Sequence, residues 1–263
     1  MTADETQIRL LTYQYADASN LGARMRLHQR YRTNPQPWSR WAFEQMHLQP
    51  GERVLELGAG PGTLWSVNAG SVPTGEIVLT DLSLGMLATA RRSIAAARAA
   101  WIFAAVDAQA IPFRDGSFDV VIANHMLYHV PDRQRAIGEI RRVLRDGGRF
   151  FAAANGRDYL LEIDELAERF VPGVRMAAHV ERFGLETGEE QLRSRFADVR
   201  LLRYADELAI TEAQPVVDYV ASMSRQSQAP ESSLAALRSE VEAIIARDGV
   251  LRVRKGSGMF VAR

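Results

Sequence analysis

Four polar residues stand in matching places: Glu56, Asp81, Asp107 and Asn124 each lie at or next to the end of an apolar, strand-like run. Carboxylates and an amide oxygen accept hydrogen bonds, which suits the hydroxyl and amino groups of a small polar ligand. Directly after the first run comes Gly58-Ala59-Gly60-Pro61-Gly62-Thr63, with glycine at alternate positions. Glycine tolerates positive φ at a sharp turn and lets a ligand approach the bare chain. Such a turn entering a helix is expected to present amide N–H groups. One strand-ending acid is ordinarily a cap or turn residue. Three acids and an amide in one register point to a ligand, because open α/β sheets bind theirs beyond the C-terminal strand ends. Titratable nitrogens follow in Asn124-His125-Met126-Leu127-Tyr128-His129. Histidine is the usual general base near neutral pH, so His125, His129 and Tyr128 are the candidate catalytic residues. On a helix His125 and His129 would share a face. The plainer alternative has His129 bonded to backbone and Tyr128 packed. The His-x-x-x-His spacing lacks the glutamate of the zinc motif and no ligand cluster completes it, so no metal is expected.

These residues need a frame that brings strand ends together. After Gln49-Pro50-Gly51 the apolar pattern predicts strands at 54–57, 76–80, 101–106, 118–123 and 149–154. Helical spacing lies between them, at Met86, Leu87, Ala90 and Ile94 and again at Ala136, Ile137, Ile140 and Val143. Gly147-Gly148 is read as the stop of the second helix. Alternation of this kind predicts a parallel sheet covered on both faces. Residues 8–48 read as helical, interrupted at Asn34-Pro35-Gln36-Pro37. Tyr15 and Tyr31 flank an Arg-rich stretch there and are the candidate substrate contacts, with core packing as the alternative. Beyond 156 the alternation breaks into helices, a strand within 199–210 and a final bent strand or hairpin around Gly256-Ser257-Gly258. The expected organisation is a helical cap at 1–48, a ligand-binding core at 49–156, and a C-terminal part of the same domain at 157–263 carrying helical lid insertions. Substrate selection is expected in 8–41, 157–196 and 212–225, with Arg175, His179, Arg182 and Phe183 as further candidates.

Composition narrows the partners. Lys+Arg and Asp+Glu both number 32 in 263 residues, so no electrostatic footprint for nucleic acid appears. Cysteine is absent, which removes disulfides and thiolate chemistry. Asp4 and Glu5 stand where a signal peptide would be basic. No apolar run approaches the roughly 20 residues of a membrane span. The expectation is a cytoplasmic protein, monomer or homodimer, acting on a small molecule.

Five motifs in order then carry a resemblance. They are Glu56-Leu57-Gly58-Ala59-Gly60-Pro61-Gly62, Thr80-Asp81-Leu82-Ser83, the run from Val106-Asp107-Ala108 to Ile111-Pro112-Phe113, Phe118-Asp119-Val120-Val121-Ile122-Ala123-Asn124, and Arg142-Val143-Leu144-Arg145-Asp146-Gly147-Gly148. Over about residues 50–156 the chain resembles the class I S-adenosylmethionine (SAM)-dependent methyltransferases. It is most similar to the small-molecule branch of the ubiquinone/menaquinone-biosynthesis (type 11) enzymes. One departure is Asp146, where a proline is usual. The resemblance implies a Rossmann-like α/β fold, with a seven-stranded, mostly parallel sheet whose last strand is antiparallel and helices on both faces. It implies SAM as cofactor and S-adenosylhomocysteine (SAH) as product. By the same resemblance Gly58, Ala59, Gly60 and Gly62 lie under the methionyl part, and Glu56 orients that loop or meets the amino group through water. Asp81, next to Leu82, accepts the ribose hydroxyls, and Asp107 with Ala108 meets the adenine. Met86 packs on the nucleoside, and Asn124 and His125 form the floor near the sulfonium. A dinucleotide fingerprint fits less well, since Thr63 replaces its third glycine and Pro61 stiffens the loop. Nucleic-acid methylation lacks its Asn-Pro-Pro-Tyr-like segment. A SAM-binding sensor or partner subunit without catalysis remains the alternative to an enzyme.

Overall fold

Apolar runs bounded by glycine and acids form strands, the central ones buried on both faces as parallel sheets require. The computed structural model describes residues 19–94, 99–172, 179–224 and 229–263. Within them β1 (Arg53–Leu57), β2 (Glu76–Asp81), β3 (Ala100–Ala105), β4 (Phe118–Asn124) and β5 (Leu144–Asn155) pair in parallel. β6 (Val199–Tyr204) joins the same sheet, whereas β7 (Glu207–Ile210) and β8 (Leu251–Arg254) pair only with each other in an antiparallel ribbon. The last strand, β9 (Ser257–Ala262), runs antiparallel between β5 and β6. The sheet order is β3-β2-β1-β4-β5-β9-β6. This is the seven-stranded, mostly parallel arrangement expected above. Leu57 pairs with Thr80 and Ala123, Asp81 with Ala105, and Asn124 with Ala153, so the strand ends lie level along one edge.

Helices cover both faces. The amino-terminal pair is α1 (Ser19–Tyr31) and α2 (Trp38–Met46), and α3 (Thr63–Val67) opens from the glycine loop. α4 (Leu84–Ser93) and α5 (Arg133–Val143) connect strands of the sheet. Ser83 caps α4 by accepting from the Met86 amide, and Asp132 caps α5 through the Arg135 amide. α5 buries Ala136, Ile137, Ile140 and Val143 against one face, while Phe43, Met46, Trp65 and Ile94 fill the other. A third cluster lies apart from the sheet. Leu27 and Tyr31 of α1 pack there with Ile163 of α6 (Leu161–Phe170), which precedes the short α7 (Gly188–Arg193). Val216 and Val220 of α8 (Gln214–Ser224), Leu237 and Val241 of α9 (Glu231–Asp248), and Leu208 and Val253 of the ribbon complete it. Segments from the two ends of the chain thus make one apolar nucleus. Asp206 ties them by accepting the Thr33 and Asn34 amides.

One local expectation changes and two are narrowed. α5 ends at Val143 and β5 begins at once, so the glycine pair does not stop the helix. Leu144 turns extended because its side chain is drawn into the core, and Gly147, at φ 74, sits in the irregularity where the β4–β5 register shifts. The chain end is a bent strand and not a hairpin: β8 and β9 belong to different sheets, parted at Lys255-Gly256. The run 199–210 likewise holds two strands of different sheets. Phe260 in β9 is fully buried, with its ring 6.0 Å from Phe183. Phe260→Ala should therefore lose about 3–5 kcal/mol of stability in denaturant titration; a loss below about 1 kcal/mol would contradict this packing.

Candidate functional site

Along the level strand ends runs a cavity of about 700 Å³, within the usual range for small-molecule pockets. One half lies over β1, β2 and β3, floored by Glu56, Gly58, Gly60, Asp81, Asp107 and Ala108, with Leu82 and Met86 beside them. The other half lies over β4, β5 and β9, bordered by Asn124, His125, Asn155, Ser257 and Lys255. Its roof is His28, Gln29 and Arg32 from α1 and the turn after it, with Trp38 at the start of α2.

The glycine loop takes positive φ at Gly58 (65), Gly60 (55) and Gly62 (74). A Cβ on Gly58 would stand 2.8 Å from Met126 Cβ, and one on Gly62 2.6 Å from Ile94 Cδ1. A Cβ on Gly60 would meet nothing within 4 Å. Two glycines thus serve the protein's own packing, and Gly60 leaves open space. Gly58→Ala and Gly62→Ala should lower the melting temperature clearly more than Gly60→Ala, whose cost is backbone strain of about 1–2 kcal/mol. Equal losses at all three would remove the packing argument. The amides are not bare, contrary to expectation. Ala59 N–H donates to Thr80 O at 2.8 Å and Gly60 N–H to Asp81 Oδ2 at 2.9 Å. The end of β2 holds the loop in place.

Asp81 also accepts the Ser83 amide on Oδ1 at 2.8 Å. Burial raises its pKa against the pull of those backbone N–H groups from Ser83, Gly60 and Leu82. Asp107 is held by the Gln109 amide at 2.8 Å and by that side chain on both oxygens. Glu56 is 2% exposed and accepts from Trp65 Nε1. Burial pushes its carboxyl up to about 7, with the Asp81 charge adding and the Trp65 bond opposing. Asn124 Oδ1 accepts from Trp38 Nε1 at 3.3 Å, joining strand end to roof.

His125 is a non-glycine residue at φ 54, a conformation costing about 1–3 kcal/mol that is tolerated where surroundings impose it. Its ring centroid lies 4.8 Å from that of Trp38, and its Nδ1 is buried with no hydrogen-bond partner among the described residues. Burial, then the charges of Lys255 and His179, hold its pKa down to about 3, so the ring is neutral. The expected helix is missing. Only a single 3-10 turn, Leu127–His129, follows, and His125 and His129 share no helical face. Tyr128 and His129 do line the cavity, and the Tyr128 ring lies 4.4 Å from His129 and 4.6 Å from His179.

Of the candidate substrate contacts, Tyr31 is 5% exposed in the apolar cluster with Leu27 and Leu208 and is not on the cavity wall. Its place at the end of an apolar helical face draws it into the core. Tyr15 and Arg175 lie outside the described residues. His179, Arg182 and Phe183 do not line the cavity, nor does any described residue of 212–224, which pack behind α1. Trp38 lines the cavity as one reading of the amino-terminal aromatics had it, His28 and Arg32 lie within the segment 8–41 expected to select substrate without being singled out, and Lys255 was missed. For Lys255 a signal existed, since it is the only lysine in the chain.

Residues 55–152 match the family described as "Methyltransferase domain". The chain is 35% identical over 119 residues to a demethylmenaquinone methyltransferase of Symbiobacterium thermophilum, covering 43% of this chain and 47% of that protein. It is 35% identical over 113 residues to a ubiquinone/menaquinone biosynthesis C-methyltransferase UbiE of Ralstonia pickettii, covering 43% and 46%. The chain spans about half the length of the curated relatives it matches. Among solved structures it resembles phosphoethanolamine N-methyltransferase 2 of Haemonchus contortus in complex with SAM, with TM-score 0.59 and 20% identity over 98% of this chain and 59% of that one. It also resembles the [4+2]-cyclase SpnF, with TM-score 0.59 and 22% identity over 99% and 96%. At such identities the likeness concerns the fold alone, which carries more than one chemistry.

Proposed function

We infer that this chain, whose residues 55–152 match a methyltransferase-domain family, is an enzyme that transfers the methyl of SAM to a small molecule held in the same cavity as the cofactor. The observation that carries the reading is one cavity reaching from the glycine loop and strand-end acids to a separate half roofed by α1 and α2. SAM fits the first half by the chemistry of its donors and acceptors. Asp81 would accept the ribose hydroxyls with lone pairs left over from Gly60 and Ser83. Asp107 and the Ala108 backbone would meet the adenine, Met86 would pack on the nucleoside, and the open surface at Gly60 would take the methionyl part. Glu56 would face its ammonium group. When bound, SAM supplies a methyl carbon made electrophilic by the adjoining sulfonium.

The protein's contribution is alignment and exclusion of water. Asn124 and His125 stand where the two halves of the cavity meet. A neutral His125 can accept a hydrogen bond from an O–H or N–H nucleophile and aim its lone pair. With a pKa near 3 it is a weak base, so its work is orientation and not proton removal. Tyr128 and His129 flank the same region. Trp38, fixed to Asn124, closes the roof. No described helix is long and apolar enough to cross a membrane, and the proposed setting is the cytoplasm. A sensor without catalysis would leave the second half of the cavity unused.

Incubation with methyl-labelled SAM and a small-molecule cell extract tests this directly. Label should appear in a low-mass product. SAM binding with no transfer to any extract fraction would favour the sensor instead.

A further inference from the structure

Charge is segregated along the cavity. Its lining acids, Glu56, Asp81 and Asp107, all stand at the ends of β1, β2 and β3. Its lining bases, Arg32 and Lys255, stand at the other end with His28, and no acid among the described residues lines that half. Lys255 Nζ donates to Asp206 Oδ2 at 2.6 Å. That buried carboxylate receives the amides of Thr33, Asn34 and Glu207 on its other oxygen. An ammonium group has three donors; one goes to Asp206, the group also faces the Tyr204 ring at 5.6 Å from its centroid, and a donor is left for a ligand. Among the described residues the Arg32 side chain bonds only to the backbone carbonyls of Asn34 and Gln29, at 3.1 and 3.3 Å, and makes no ion pair. Among the described residues, two cations thus face one carboxylate, an excess of one positive charge. His28 adds an unmet polar atom: Nε2 lies 2.9 Å from Tyr159 Oη, but Nδ1 is buried with no partner among the described residues.

A half-buried positive charge and a buried imidazole nitrogen without a partner both cost stability. An anion placed between them offsets both. The first half, lined by acids, suits a cationic cofactor; the second suits the opposite charge. We propose that the methyl acceptor carries an anionic oxygen group, such as a carboxylate or phosphate, seated among His28, Arg32 and Lys255 with its nucleophilic atom toward Asn124 and His125. Met25, Trp38 and Tyr159 supply apolar surface for the body that joins the two. This rests on the reading that SAM occupies the half over β1–β3. Arginine serves as the basic residue everywhere else in the chain. A lone lysine in this pocket is therefore a chemically distinct handle, a compact point charge with rotatable donors.

With SAH saturating, binding of benzoate, phenyl phosphate and hexanoate can be compared with benzamide and hexanamide by calorimetry and ligand-observed NMR. At least one acid should bind about tenfold more tightly than the amides. Lys255→Met and Arg32→Gln should each weaken that acid at least about fivefold while SAH affinity holds, because both lie in the other half. Reductive methylation of Lys255, followed by peptide mass, should slow when the acid is present. This readout and Arg32→Gln carry the test if Lys255→Met does not fold. Amides binding as well as acids, no acid binding at all, or acid binding indifferent to both substitutions and without protection of Lys255 would overturn the proposal. Failure of SAH to bind would instead bring down the cofactor reading on which it rests.

Discussion

Asp81→Ala should weaken SAM binding by at least about tenfold in calorimetry while the protein keeps its circular-dichroism spectrum. Hydrogen bonds to a charged acceptor are worth about 1.5–3 kcal/mol each, and about 1.4 kcal/mol is a decade in affinity. Two ribose hydroxyls set an upper range of about a hundredfold and more. The floor is lower because Asp81 is already engaged. Its oxygens accept Gly60 and Ser83 N–H before any ligand arrives, and the substitution frees both for water. The same bonds mean that Asp81 shapes the glycine loop as well as touching the ribose. Asp81→Asn separates the two roles: the amide keeps one acceptor but faces a second N–H with its own NH₂. It should fall between wild type and alanine. Unchanged affinity in both variants would place the nucleoside elsewhere.

Glu56 should contribute stability that falls as pH rises, and Glu56→Gln should remove that contribution. Its folded pKa of about 7 stands above the ordinary 4.5 because the carboxyl is buried first of all. The folded state therefore holds a proton that the unfolded chain has released between those values. The stabilisation is full below about pH 4.5, declines through the interval and is gone above about pH 7, a total of about 3 kcal/mol. Asp81, raised in the same direction, adds to the slope, so the difference between wild type and Glu56→Gln isolates the Glu56 part. A cation bound beside Glu56 favours its charged form. SAM affinity should then rise from about pH 5.5 to about pH 7 in wild type and rise clearly less in Glu56→Gln. Denaturant titrations and calorimetry across that range check both; parallel pH profiles for the two proteins would contradict the buried-carboxyl argument.

The core half of the site was legible because its signals are local. Apolar runs, an acid at each end and a helix cap soon after are all written within ten or so residues, and Glu56, Asp81, Asp107 and Asn124 line the cavity as their spacing implied. The cap half was not, because its contacts are distant in the chain. Leu27 packs with Leu208, and Arg32 bridges to it across the ribbon. No periodicity shows that α1 will lie against β7. Tyr31 misled for a related reason, since an aromatic on a helix gains more from burial than from a wet pocket. The strained backbone of His125 is likewise set by tertiary packing, its amide donating to Ala153 O of the neighbouring strand at 3.2 Å. Lys255 carried a compositional signal that residue-by-residue pattern reading passes over.

The central claim is a division of one cavity between cofactor and acceptor. A crystal structure with SAH tests it most directly. The expected result has the ribose on Asp81, the adenine beside Asp107 and the sulfur directed toward Asn124 and His125, with the space up to His28, Arg32 and Lys255 left for the acceptor. SAH lying across the Lys255 half, or with its sulfur turned away from His125, would contradict the account.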